Sequence, residues 1–468
     1  MTNSILLAPV SKVKFPTTIE LLENAYPGEK AVLEVVIPLL GALQASGGSP
    51  FLVGGYVRDI LLGVSSKDID IEVYGLSAER IKEIAEKHGE TKEVGEAFGV
   101  LKLISPAGDI DISLPRTEEQ TGSGHRGFSI STDPFLPMKT AMRRRDFTIN
   151  TLMVDLFTGD IFDAYGGIAD LQAGILRATD SEHFVEDPLR IMRAVQFASR
   201  LSFEIEPNTK ALLKKMMPRL REISAERFFA EWEKLLTRSP KPSVGLRLVR
   251  ELGIATLLYP EIQEIGPGAW EATLRRIDRM LSEMQEANTA FEDAMFLMFA
   301  SLCLQMSDGG KNFLSTICAS HSYTQKIPRL SSAFPDAKRL WQEKTRGGLS
   351  DSAYAGSIRR LARHLHPARL ADLVLLLRFD GWPEASEHLL EKAGALEVLE
   401  SIAPPLMSGS DWIVLGVRPG AHMRDLIALA DQLRDEKGYD KTVLLARLPE
   451  EIADPSLVAD LLRHLLNE

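Results

Sequence analysis

The stretch 51–74 constrains this 468-residue chain more than any other, because it sets a Gly-Gly turn one short helix ahead of two carboxylates spaced one residue apart. Phe51, Leu52 and Val53 form an apolar run that stops at Gly54 and Gly55, where a missing Cβ lets backbone N–H groups come close to a polyphosphate. Arg58 and Asp59 fall in a predicted helix, Val57–Leu62, closed by Gly63. After the turn at 64–67, the segment Asp68–Val73 alternates polar and apolar residues as a half-buried strand does, so Asp68 and Asp70 share a face. Two carboxylates held together repel unless a cation sits between them. Mg²⁺ suits them, as a hard ion satisfied by one or two carboxylates plus substrate phosphates. Two such ions would activate an attacking 3′-hydroxyl and hold a triphosphate. Each feature alone is common in turns and on strand faces; the order and spacing of both together carry the signal.

A chain of this length implies two to four domains. Its 45% apolar and 25% charged residues describe an ordinary globular composition. Neither a membrane-length apolar run nor a secretory signal is expected, and with only Cys303 and Cys318, both in apolar surroundings, buried thiols of a cytoplasmic protein are the expectation. The net charge of −11 argues against nucleic acid, but residues 187–250 carry 14 Lys+Arg against 7 Asp+Glu. That basic segment can track a phosphate backbone or serve as a solvated helical face.

The periodicity predicts a loosely structured leader over 1–28 and an α/β head over 29–165 that starts with a helix, Glu29–Ala45. Val100–Ile104 and Ile110–Leu114 read as strands, and 122–127 as a mobile loop. From Gly166 onward the pattern is helical, divided into a neck (166–250), a body (251–345) and a tail (346–468). The fold class is therefore α+β, a mixed-sheet head followed by an all-α region.

Two further clusters bear on chemistry. Arg143, Arg144 and Arg145, followed by Asp146 and Asn150, suit triphosphate charge and ribose hydroxyls. Glu186, Asp187 and Arg190 follow, with Asp187 predicted to cap a helix that has Pro188 at its first position. A bland alternative is an N-cap with an i,i+3 ion pair between Asp187 and Arg190. As a pair, a carboxylate that accepts and a guanidinium that donates would match the amino and ring-nitrogen edges of cytosine and adenine, and would reject uracil and guanine. His364 and His366 are expected at the surface of a helix end.

These blocks resemble the class II tRNA nucleotidyltransferase and bacterial poly(A) polymerase family. The likeness rests on Leu52–Asp59 with Asp68-Ile69-Asp70, on Arg144–Asn150, on Asp163–Leu171, and on Glu186–Arg190 with Arg193 and Ala194. It implies a polymerase-beta-like head in which Asp68 and Asp70 bind Mg²⁺, with Asp111 as a possible third ligand. It further implies that Gly54, Gly55, Arg58 and Arg193 bind the nucleotide, that Arg144, Arg145, Asp146 and Asn150 hold ribose and phosphates, and that Glu186, Asp187 and Arg190 form the amino-acid template. The implied substrates are CTP, ATP and the tRNA acceptor arm, with no obligate protein partner. The implied reaction is C and A addition at the tRNA 3′ end, with A-only or CC-only addition, poly(A) synthesis and a catalytically silent RNA-binding protein as competitors. Ala225, Glu226, Arg227, Glu231 and Leu235 resemble the motif that braces the templating helix, and a loop within 116–137 resembles the one that assists adenine addition. Thr151 and Gln196 depart from the family pattern, and no His-Asp dipeptide of a phosphohydrolase exists in the chain. The acidic 117–120 and the segment 95–99 lack the basic character associated with poly(A) polymerases.

Overall fold

The computed structural model describes residues 13–66, 68–94, 99–120, 128–449, 452 and 454–467. Two compact units are present, residues 1–235 and 236–468. The expected α+β class is what the chain adopts.

In the first unit, α1 (Thr18–Asn24) and α2 (Pro27–Ala45) precede β1 (Ser49–Val53), α3 (Gly55–Leu61) and β2 (Ile69–Tyr74). Then come α4 (Ala78–Ala85), β3 (Glu90–Val94), β4 (Val100–Ile104), β5 (Ile110–Ser113), β6 (Arg116–Gln120), β7 (Phe128–Thr132) and α5 (Met138–Arg143). After them β8 (Met153–Asp155) and β9 (Asp160–Phe162) complete a seven-stranded mixed sheet of order β3-β4-β5-β2-β1-β8-β9. All neighbours are antiparallel except β2 and β5.

Strand alternation explains where the site lies. Ile69, Ile71 and Val73 join Leu52, Leu103 and Ile110 in a core that includes Val32, Leu33, Val36, Leu39, Leu40 and Leu43 of α2, spaced as one helical face. Phe51, Val53 and Tyr74 belong to the core of the opposite face, with Met138 and Met142 of α5. Asp70 and Glu72 alternate with the isoleucines, so they project on this second side. In register, Lys102, Asp111, Asp70, Val53 and Met153 form one row across the sheet.

The segment expected to be a loose leader is instead structured where it is described. Thr17 and Glu20 form a capping box on α1, Phe15 donates its N–H to Gly159, and Phe15 and Leu21 are buried in the head core. The loop expected at 122–127 and residues 95–98 lie outside the described residues; 116–120 and 128–132 pair as a separate hairpin.

The unit continues with α6 (Gly167–Ala173), β10 (Ile175–Leu176), α7 (Ser181–Phe184), α8 (Arg190–Leu201), β11 (Glu204–Ile205), α9 (Pro207–Met216) and α10 (Ala225–Arg238), within which the two units divide. The parallel pair β10–β11 interrupts the expected helical run.

The second unit is helical among its described residues, from Pro242–Glu251 to Pro455–Asn467. Met298–Leu302, where a phosphohydrolase dyad would stand, are buried in the helix Phe291–Cys303. Cys303 is buried, but Cys318 is exposed, which corrects the expectation of two buried thiols: Cys318 sits at φ 54° after a short helix, where the chain turns. His364 and His366 are exposed at the end of the helix Asp351–Leu365. No helix among the described residues is long and apolar enough to cross a membrane.

Candidate active site

A cavity of about 540 Å³ opens between the end of β1, the start of β2, the turn after α5, and α8. Gly54 and Gly55 form one wall, and Asp68 and Asp70 face them. Arg144 and Arg145 line it after α5, and Asp187, Arg190 and Arg193 from the α8 side. A second cavity, about 480 Å³, lies beside α4; its rim carries Glu79, Glu83, Glu86 and Glu93, a charge that repels triphosphates.

Gly54 is held at φ 71°, and a Cβ there would stand 2.9 Å from Arg145 Nη1 and 3.6 Å from Asp70 Oδ2. Glycine is therefore required both by the backbone angle and by the close approach of an acid and a base. Asp68 is exposed one residue before β2, and Asp70 is half-buried on it. Burial and the charges of Asp111 and Asp68 push the Asp70 pKa up to about 6 against the pull of Arg145 and Arg144. Asp111 is the register partner of Asp70 but pairs with Lys102 at 3.1 Å and does not line the cavity. Hard carboxylate oxygens beside Gly54, where only glycine fits, are a donor set suited to a small divalent cation.

Behind the cavity the polar residues brace one another. Arg58, 2% exposed, donates to Asp59 Oδ1 at 2.8 Å and to Asn150 Oδ1 at 2.6 Å. Asn150 in turn donates to Asp146 Oδ1 at 2.9 Å, and Arg193 Nε donates to Asp146 Oδ2 at 2.7 Å. Burial alone would raise the Asp146 pKa, but Arg193, Asn150 and Arg190 together hold it at about 2. Arg58 and Arg193 also lie over the Phe197 ring, 5.0 and 5.2 Å from its centroid.

Asp187 and Arg190 do not form an i,i+3 ion pair. Asp187 Oδ2 accepts from Arg227 at 2.7 Å and Oδ1 from the Leu189 N–H at 3.0 Å, while Arg190 donates to the carbonyls of His183 and Arg144. Nor is Pro188 the first helical residue: α8 begins at Arg190, and 187–189 form the turn ahead of it. Each side chain is thus oriented by a third group. Glu186 does not line the cavity; its carbonyl accepts from Arg219. Arg143 points elsewhere, to Asp180 and Glu182.

Asp180, Glu182 and His183 offer one ligand atom each within 4.8 Å of one another, a group that could hold a divalent metal ion. It is distinct from the acids expected as ligands, and Arg143 already binds two of its carboxylates.

Several lining residues were not singled out in the sequence, among them Phe197, Arg200 and Lys234, and Asp59 was named there only as a helix residue of the Gly-Gly block. Arg190, Arg193, Phe197 and Arg200 recur at helical spacing, a signal the sequence did contain. The two departures differ in consequence. Thr151 donates to the Thr148 carbonyl at 2.7 Å, whereas buried Gln196 leaves Nε2 without a hydrogen-bond partner among the described residues.

Comparison with known proteins gives the family. Residues 50–177 match the poly A polymerase head domain, and residues 202–265 match the "Probable RNA and SrmB- binding site of polymerase A". A multifunctional CCA protein of Xanthomonas campestris is 37% identical over 220 residues, 46% of this chain and 52% of that protein. The chain thus spans about half the length of that relative. One from Haemophilus ducreyi is 33% identical over 302 residues, 62% of this chain and 70% of that protein. Among solved structures, the Bacillus stearothermophilus CCA-adding enzyme in complex with CTP is similar with a TM-score of 0.65 at 21% identity, covering 89% of this chain and 97% of that one. The Thermotoga maritima CCA-adding enzyme complexed with tRNA is similar with a TM-score of 0.60 at 21% identity, covering 97% and 99%. On sequence and fold together, this chain belongs to the CCA-adding enzyme and poly(A) polymerase family.

Proposed function

We propose that this protein adds C and A nucleotides to the 3′ end of tRNA, using CTP and ATP and releasing pyrophosphate. The observation that carries the reading is the convergence of Asp68 and Asp70, the Arg144–Arg145 pair and the Asp187–Arg190 pair on one cavity of nucleotide size. An acid pair, a phosphate-matching guanidinium pair and an edge-matching pair are the parts that template-independent nucleotidyl transfer needs.

Asp68 and Asp70 would hold Mg²⁺, which supplies activation of the 3′-hydroxyl and charge neutralisation at the triphosphate. Asp111, paired with Lys102, would act on Asp70 through its charge. Arg144 and Arg145 would take the phosphates, with Gly54 and Gly55 allowing close backbone approach. Arg58, Asp146, Asn150 and Arg193 would keep the ribose wall rigid through their chain of hydrogen bonds. Asp187 would accept from the exocyclic amino group of cytosine or adenine, and Arg190 would donate to the ring nitrogen. Catalysis is then positioning and electrostatics, with no covalent enzyme intermediate.

The basic segment 187–250 and the helical residues beyond it would hold the acceptor arm through its phosphates and shape. A chain with two cysteines fits a reducing cytoplasmic setting. The test is a panel of the four labelled nucleoside triphosphates offered singly to a tRNA transcript lacking its CCA end. Incorporation of CTP, with UTP and GTP refused, supports the reading; equal use of all four overturns the edge-matching role.

A further inference from the structure

Glu72 follows Asp70 by two residues on β2, so the strand presents both carboxylates on one face. It is 1% exposed and does not line the cavity, yet it bonds two residues that do. Its Oε2 accepts from Arg144 Nη2 at 3.2 Å and from Arg145 Nη2 at 3.3 Å, and its Oε1 accepts from the buried Tyr74 hydroxyl at 2.8 Å. On its other side Arg145 is bounded by Gly54, against which Nη1 rests. Adjacent guanidinium groups in a half-buried wall repel, and Asp70 lies on the same face of β2 as Glu72.

On the reading proposed above, we infer that Glu72 is a positioning residue for the nucleotide's triphosphate: one buried carboxylate fixes Arg144 and Arg145 side by side and keeps them off Asp70. Tyr74 fixes the carboxylate in turn. The pair therefore meets the phosphates already oriented, and the effect is independent of the base.

Equilibrium binding of CTP, ATP and CMP to the full chain at fixed Mg²⁺, together with tRNA binding, tests this. Glu72→Gln keeps size but removes the charge; it is expected to weaken CTP and ATP by the same factor, roughly tenfold, as expected for loss of a charge-assisted hydrogen bond. CMP and tRNA binding are expected to stay within about twofold, and Glu72→Asp to recover part of the loss. Should Glu72→Gln not fold, Tyr74→Phe removes only the donor to Oε1 and is expected to give a smaller loss with the same pattern. Unchanged CTP binding in a folded variant overturns the inference. So does a loss that falls equally on CMP and tRNA, which marks a merely structural role. A wild-type chain that binds neither CTP nor ATP overturns the function itself, a failure visible before any variant is made.

Discussion

The Asp187 carboxylate accepts a hydrogen bond from Arg227 Nη2 at 2.7 Å, across 40 residues of chain. Arg227 stands in the first turn of α10, so this contact ties the turn ahead of α8 to α10. A carboxylate offers about four lone-pair sites, so two internal contacts leave capacity for a base. Arg227→Ala is expected to free Asp187 and to raise misincorporation of UTP and GTP relative to CTP and ATP by about tenfold, the loss of one charge-assisted bond. Steady-state kcat/KM for the four nucleotides reads this directly. An equal fall for all four would mean that Arg227 supports the fold and not base choice.

Asp146 gives a pH signature. Its folded pKa of about 2 lies below the ordinary carboxylate value, so its charge stabilises the fold above about pH 4 and that stabilisation disappears as pH falls from about 4 through 2. Asp146→Asn is expected to lose about 2 kcal/mol at neutral pH, with the gap to wild type closing in that window. Denaturant midpoints of both proteins at pH 7 and at about pH 2 check it; a gap that is the same at both pH values contradicts it.

What was legible in the sequence followed from local periodicity. The alternation of Asp68–Val73 announced a strand with its acids on one side, and the Gly-Gly turn announced the cavity wall. The pairings were not legible, because they join residues far apart in sequence. Glu72 looks like one more polar strand residue until Arg144 and Arg145, 72 and 73 residues later, are brought to it by α5 packing on the sheet. Arg58 and Asp146 read as ligand groups, yet they are largely satisfied by their neighbours. Helix capping misled at Asp187, because a single turn intervenes before α8.

Gly54 is the tightest point of the site. Gly54→Ala would carry an L residue at φ 71°, with its Cβ 2.9 Å from Arg145 Nη1. A strain of about 1–3 kcal/mol is expected, relieved by displacing Arg145. Nucleotide affinity and incorporation should both fall by more than about tenfold while the helical unit keeps its circular dichroism. Wild-type kinetics in this variant would contradict the close approach.

Asp70 and Asp111 should separate. Asp70→Ala is expected to lower incorporation by about 10³-fold, consistent with several kcal/mol of metal-derived stabilisation, and to leave tRNA binding intact. Asp111→Ala should cost about tenfold at most, because Asp111 is paired with Lys102 outside the cavity and reaches the site only through its charge on Asp70. Equal losses in the two variants would make Asp111 a direct ligand.

The central claim is tested most directly by incubating the protein with CTP, ATP and Mg²⁺ and three forms of one tRNA transcript, lacking CCA, lacking CA and lacking only A. Completion of all three to a CCA end, and no further, is the predicted result. Addition of a single A to the CC-ended form alone, or a long A tail on any RNA, would contradict it.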